Sequence, residues 1–391
     1  MPLPADFAPS LLARLTPRQS EIERWIRRAV EIESPSNDKP SLDRMADFLG
    51  DEFSAIGGRI KIHKSLTAGD QVQIDFPSRR GGKPVLVLGH HDTVWELGTL
   101  KSMPCHVTQG RIWGPGTLDM KAGLAQVLFA LRALSEHFAG FPRPVTILSV
   151  SDEETGSHAS RAVTESLAKK SAAVLVLEPA QGLEGALKTA RKGVGEYSLK
   201  VHGRAAHAGV DFPSGGSAIV ELARQIQQVA KLTNLKRGLT LNPGVIRGGT
   251  RSNVIAAEAE AQIDVRIARP ADAKFVESKL SRLHPFDARC RIEISGRINR
   301  PPMERTRGVA ALFAQARTLA AGMNGAGGRP WVLEESSTGG ASDGNFTAAL
   351  GVPTLDGLGA VGEGAHAAHE SVVLSEIPRR AALLAALIAS I

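Results

Sequence analysis

Five stretches of the 391-residue chain place imidazoles or carboxylates at the ends of apolar runs. Gly89-His90-His91-Asp92-Thr93 follows the run 85–88. Alternate side chains of an extended chain share a face, so His90 and Asp92 point the same way and the carboxylate can take the second imidazole proton, fixing the tautomer that binds a metal. Read alone, the string is equally a pair of surface histidines in a turn. Trp113-Gly114-Pro115-Gly116-Thr117-Leu118-Asp119 is a glycine-bracketed turn that delivers Asp119 just ahead of a helix, where an acid is also an ordinary cap. Asp152-Glu153-Glu154 follows the run ending at Val150, and adjacent acids raise one another's pKa unless water or a cation relieves them. Glu178 closes the run 174–177, and His366 stands in Gly364-Ala365-His366-Ala367-Ala368-His369-Glu370. Taken jointly, His90, Asp119, Glu154, Glu178 and His366 supply two imidazoles and three carboxylates, which suits two zinc ions with Asp119 bridging. Such a pair, about 3.5–4 Å apart, clamps a water, lowers its pKa to around 7 and polarises a carbonyl, while a spare carboxylate moves protons. Cys105 and Cys290 are too few for a thiolate zinc site or a disulfide framework.

The elements that must position these groups alternate. Residues 85–88, 145–150 and 172–177 are short apolar runs bounded by Gly, Pro or charge, the pattern of strands buried on both faces of an α/β sheet. Between the first two, residues 121–137 set Val127, Leu128, Leu131 and Leu134 on one helical face; residues 41–56 form another amphipathic helix. Open α/β sheets place their sites where such strands end. From residue 191 the texture changes to a strand (196–203), a helix (216–232), two strands (240–246 and 257–266), a helix (271–283) and a strand (291–295). After Pro301-Pro302 come a helix over 309–321, a loop rich in Gly, Ser and Asp over 336–345, and a terminal helix. The expected fold is α/β: a discontinuous main domain, residues 1–190 and 301–391, interrupted by a compact α+β insert over 191–300 of a size that folds alone.

Composition excludes several classes. Hydrophobic residues at 42% and charged residues at 22% are those of an ordinary soluble protein. No apolar run nears the roughly 18 residues of a membrane span, and Asp6, Arg14, Arg18, Glu21 and Glu23 break up any signal-like core, so a cytoplasmic protein without a membrane partner is expected. Lys and Arg total 47 against 40 Asp and Glu, a net +7, but the basic residues come in scattered pairs such as Arg27-Arg28. With a single Tyr and 4% aromatics there is little for bases to stack on, and nucleic acid is not an expected partner.

The strings GHHDTV, GPGTLDMKAG, SDEETGS, LEP, GRAAHAG, GGTRSNV and GAHAAHESV, in this order from residue 89 to 373, resemble the aminoacylase/carboxypeptidase family of co-catalytic zinc metallopeptidases, and within it the glutamate carboxypeptidases of the folate-hydrolysing type. The resemblance implies that His90, Asp119 and Glu178 hold one zinc and Asp119, Glu154 and His366 the other, with cobalt or manganese as alternative ions. It makes Glu153 the general base and Asp92 the partner of His90. His366 is preferred to His369 because the family places a Glu four residues after its ligand, as Glu370 is here. A cis peptide is implied at Asp119-Met120, where family members often carry a second Asp. By the same resemblance the main domain is catalytic with a mixed central sheet, the insert would be a ferredoxin-like lid that joins a homodimer, and His207 in GRAAHAG would reach the partner's active site to hold the oxyanion. Asn253 and Arg266 match lid positions implicated in substrate binding, and Arg300 is a further candidate for the substrate carboxylate; read alone, Asn253 is a turn amide and Arg266 a strand-end charge pair. The implied function is hydrolysis of an amide bond that releases a C-terminal amino acid, glutamate, from a small peptide or N-acyl amino acid. The alternatives are a deacylase or dipeptidase with the same chemistry, and a non-catalytic amino-acid-binding protein on the same scaffold.

Overall fold

The computed structural model describes Pro4, residues 6–323 and residues 331–391. These form two units, one running to Ala190 and resuming over Arg305–Ser337 and Ser342–Ile391, the other comprising Arg191–Glu304 and Thr338–Ala341.

The first unit is built on a six-stranded sheet in the order Arg59–His63, Gln71–Phe76, Val145–Val150, Val85–His90, Ala173–Val176, Thr354–Leu355. The last four run parallel and the first two are antiparallel additions, so the sheet is mixed. The continuous apolar runs follow from burial on both sides. Val85, Val87, Ile147 and Leu175 enter one core with the helices Ala122–Phe138, Ile377–Ser390 and Phe7–Leu15, whereas Leu86, Leu88, Leu148, Val174 and Val176 pack against Ala168 of the helix Arg161–Lys170. Each such side chain, fully buried, contributes about 1.5–3 kcal/mol. The helix Lys39–Ser54 starts where Asp38 accepts the Ser41 N–H and Pro40 occupies the first turn, two signals of a helix N-terminus.

A small antiparallel sheet, in the order Gly362–Glu363, Ser371–Val373, Arg111–Trp113, His106–Thr108, lies in the same unit. It sets the loop 364–370 beside the turn 114–119, because Ser371 pairs with Trp113. These strands of two or three residues are too short to show a period, whereas the edge strand Arg59–His63, which lies outside the expected elements, alternates Ile60 and Ile62 with Arg59, Lys61 and His63. The stretch expected as a loop over 336–345 is more ordered than its composition suggests: Glu335–Thr338 is a strand, and a helix spans Gly344–Ala349. Asn345 stabilises that helix start by accepting the Ser342 N–H at 2.9 Å, so its polar residues form local hydrogen bonds.

The second unit is a four-stranded antiparallel sheet, Thr240–Gly248, Glu258–Ile267, Gly193–His202, Arg291–Arg300, with the helices Ala218–Ala230 and Pro270–Leu280. The chain order strand, helix, strand, strand, helix, strand with this spatial order is the ferredoxin-like arrangement. Its strand Glu258–Ile267 alternates cleanly, Ala259, Ala261, Ile263, Val265 and Ile267 going to the core. Its last strand runs to Arg300, five residues past the expected end.

Candidate metal centre

The turn before the helix Ala122–Phe138 delivers Asp119. Gly116 has φ +69°, and a Cβ there would meet Thr93 Cγ2 at 2.6 Å, so only glycine fits this bend. The peptide Asp119–Met120 is cis. Asp119 does not cap the helix, whose cap position is Lys121; its carboxylate instead faces two imidazoles. Oδ1 lies 3.0 Å from His90 Nε2, and Oδ2 lies 3.4 Å from His366 Nε2. Burial disfavours the charge on Asp119, but hydrogen bonds from His366 and His90 outweigh it and hold its pKa well below the usual carboxylate range.

His90 ends the strand Val85–His90 and is fully buried. Its Nδ1 meets the backbone carbonyl of Asp92 at 3.0 Å and the Asp92 carboxylate at 3.4 Å, so the same-side placement holds and the carbonyl is the nearer partner. Burial opposes a charge on His90, yet the hydrogen-bonded carboxylates of Asp119 and Asp92 raise its pKa well above the ordinary value. Asp92 has a second role that the sequence did not disclose. Its oxygens accept from the Ser36 hydroxyl (2.7 Å) and from the backbone N–H groups of Glu153 and Glu154 (both 3.2 Å), tying the acidic turn to the His90 strand. The adjacent His91 faces Ser149 Oγ at 3.0 Å, and burial lowers its pKa to about 4, leaving it neutral.

Glu178 follows the strand Ala173–Val176 and comes within 3.7 Å of His90 Nε2. Gly359 donates its N–H to the Glu178 carbonyl at 2.9 Å, and a Cβ on Gly359 would meet Leu177 O at 2.1 Å, so glycine is required for the two segments to approach. His366, at φ +62°, presents Nε2 to Glu154 Oε1 at 3.1 Å. Hydrogen bonds to Asp119 and then Glu154 push its pKa up to about 10. His369 is exposed.

Two half-sites result, His90 with Asp119 and Glu178, and His366 with Asp119 and Glu154, sharing the two oxygens of one carboxylate. Ligand atoms of His90, Asp119 and Glu154 lie within 4.8 Å of one another, as do those of His90, Glu153 and Glu178. Four carboxylates against two imidazoles leave an excess of negative charge that two divalent cations would neutralise, and an all-oxygen and nitrogen donor set suits zinc, cobalt or manganese. The residues present therefore fit a dinuclear centre.

The remaining candidates belong to the second unit. His207 is exposed, and its Nδ1 accepts the N–H groups of Gly209 and Val210 at 3.1 and 3.2 Å. That places the neutral ring's proton on Nε2 and makes Nε2 a donor. Asn253 is exposed in a turn and its carbonyl accepts the Ala208 N–H. Arg266 is held by Asp264 through Nε and Nη2 at 2.8 Å, with Nη1 turned to the Gly339 carbonyl. Arg300 is buried at the end of its strand. Sequence reasoning missed Ser36 and Trp95, whose positions carry no local signal, and assigned no task to Glu370 although its spacing from His366 was visible.

The profile of peptidase family M20/M25/M40 matches residues 86–390. The chain belongs to this family. Carboxypeptidase G2 of Pseudomonas sp. (strain RS-16) is 30% identical over 385 residues, covering 97% of this chain and 91% of that protein. Among solved structures, the aminopeptidase PepT of Bacillus cereus ATCC 10987 superposes with a TM-score of 0.77 at 21% identity, covering 95% of this chain and 98% of the other. The M20 family metallo-carboxypeptidase Sso-CP2 of Sulfolobus solfataricus gives 0.71 at 17% identity, covering 95% and 99%. At these identities the two structures establish the shared fold. The protein is thus an M20 metallopeptidase, a hydrolase of a family of dinuclear metal enzymes and a homologue of a carboxypeptidase. Among the described residues no helix is long and apolar enough to cross a membrane.

Proposed function

We propose that this protein is a cytoplasmic, homodimeric two-zinc carboxypeptidase that releases a C-terminal amino acid, glutamate, from a small peptide or N-acyl amino acid. The observation that carries the reading is the placement of Asp119, whose two oxygens face the imidazoles of two different carboxylate-flanked half-sites. The 30% identity with carboxypeptidase G2 over nearly the full length of both chains supports the carboxypeptidase assignment. Two cations bound by His90, Asp119, Glu178 and by Asp119, Glu154, His366 would supply Lewis acidity toward the scissile carbonyl and acidify the attacking water.

The rest of the chemistry belongs to the side chains. Glu153 accepts the proton of the attacking water at its carboxylate and passes it to the departing amine nitrogen. Asp92 orients His90 through Nδ1 and holds the Glu153–Glu154 turn by two backbone N–H groups. His207 of the partner subunit donates Nε2–H to the developing oxyanion, the tautomer being set by the two amides on Nδ1. In this reading residues 1–190 and 301–391 are the catalytic domain and 191–300 the lid and dimerisation domain, with Asn253 and Arg266 as substrate-binding groups and Arg300 as a candidate for the substrate carboxylate. The alternative reaction, deacylation of an N-acyl amino acid or cleavage of a dipeptide, uses the same side chains.

A panel of acyl-glutamates, other acyl-amino acids and dipeptides assayed with zinc tests the reading. Preferred release of glutamate from an acylated substrate supports it; release only from dipeptides with a free amine replaces it with a dipeptidase, and hydrolysis of none overturns it.

A further inference from the structure

Glu370 is fully buried and is not one of the residues assigned above to metal or substrate. Its Oε1 accepts the backbone N–H groups of Leu118 and Asp119 at 2.8 and 3.0 Å, and its Oε2 accepts the N–H of Gly116 and the indole N–H of Trp95 at 2.9 and 2.8 Å. Its backbone carbonyl accepts the Gly114 N–H at 3.2 Å. One side chain thereby holds three amides of the turn that delivers Asp119. Glu370 also lies in the loop 364–370, four residues after His366, between the paired strands Gly362–Glu363 and Ser371–Val373.

An ionised carboxylate is an acceptor with about four lone-pair sites, and here four donors meet them. No group of the same shape that carries a donor can replace it, since one of its ends would then face two N–H groups. We propose that Glu370 is the positioning residue that joins the two half-sites: it locks the Asp119 turn to the loop bearing His366, so that the shared carboxylate and the second imidazole are aimed together before any cation arrives. The proposal rests on the reading that Asp119 and His366 hold metal. Residues that orient ligands in this way are worth 10- to 100-fold in metal affinity.

The test is cobalt(II) titration, following the visible d–d spectrum and the affinity of each ion, with kcat and KM measured on the cobalt enzyme. Glu370→Gln keeps the shape but sets an NH2 against one donor pair. It should weaken the ion on the His366 side by 10- to 100-fold, shift the spectrum, and lower kcat with KM within about twofold of the parent. Trp95→Phe removes one of the four donors and should weaken the same ion by about two- to fivefold. In the double variant the amide's NH2 faces Gly116 alone, so Glu370→Gln/Trp95→Phe should bind that ion at least about threefold more tightly than Glu370→Gln. Parental cobalt affinity and spectrum in Glu370→Gln, or additive losses in the double variant, would overturn the proposal. If Glu370→Gln does not fold, parental affinity in Trp95→Phe overturns it instead. His366→Ala separates the two claims: if it keeps both ions, the metal reading fails; if it loses one while Glu370→Gln keeps both, only the role of Glu370 fails.

Discussion

Replacing Glu153 and Glu154 by glutamine, one at a time, separates a proton carrier from a ligand. The two acids are consecutive, their amides are held by the same Asp92 carboxylate, and a carboxylate oxygen of each lies within 4.8 Å of a ring nitrogen of His90. Glu154 Oε1 is 3.1 Å from His366 Nε2, whereas Glu153 shares a 4.8 Å cluster with His90 and Glu178. The His90 half-site already has three protein ligands without Glu153, namely His90, Asp119 and Glu178. Glu153→Gln should therefore keep both metals and lose the general acid–base contribution of roughly 10²- to 10⁴-fold in kcat, about 2.7–5.5 kcal/mol of transition-state stabilisation. In Glu154→Gln the His366 half-site is left with His366 and Asp119 alone. It should release one metal, and its activity should recover in part at high zinc. Metal counting on the purified variants beside steady-state kinetics reads both effects. Loss of a metal from Glu153→Gln, with both retained in Glu154→Gln, would show that the two roles are reversed.

Chelation should abolish turnover, and zinc, cobalt or manganese should restore it, because the donors are oxygen and nitrogen throughout; full activity in a verified metal-free protein would refute the dinuclear mechanism. His207→Ala should lose about 10²- to 10³-fold in kcat with metal content and folding intact, and mixing it with Glu153→Gln subunits should restore one active site per exchanged dimer; mixed dimers without activity would place His207 outside trans catalysis. Metal affinity should rise with pH, since His90 and His366, the latter with a pKa pushed up to about 10, hold protons that binding must displace. Proton release of less than one per two metals at pH 7, measured in weakly buffered solution, would contradict that coupling. Arg380→Met should lower stability by about 3 kcal/mol or more, read by thermal or urea unfolding, because the buried guanidinium donates to the carbonyls of Gly359, Gly185 and Gly357 and its loss orphans all three; an unchanged midpoint would show that those carbonyls find other donors.

The large elements were legible because each repeats one pattern over many residues. The runs around Val85, Val145 and Ala173 read as buried strands, and the helices from Ala122 and Ala218 keep their apolar stripes within a residue or two of the expected bounds. The clustering of the candidate ligands was legible because chemistry restricts residue type: His90, Asp119, Glu154, Glu178 and His366 each stand at a strand end, a glycine turn or a loop whose string is distinctive, and their side chains do come together. Support by groups remote in sequence was not legible. Ser36 reaches Asp92 across 56 positions, and Trp95 reaches Glu370 across 275; neither Ser nor Trp announces a hydrogen-bond partner by its neighbours. The small sheet that carries the His366 loop was hidden by its length, since two or three residues show no period. The near approach of the Asp92 carbonyl to His90 depends on a backbone angle after the strand, which residue types do not fix.

The most direct test of the dinuclear account is anomalous diffraction from zinc-loaded crystals. Two peaks about 3.5–4 Å apart are expected, with one Asp119 oxygen toward each, His90 and Glu178 on the first, and His366 and Glu154 on the second. A single peak, or a pair that does not share Asp119, would contradict it.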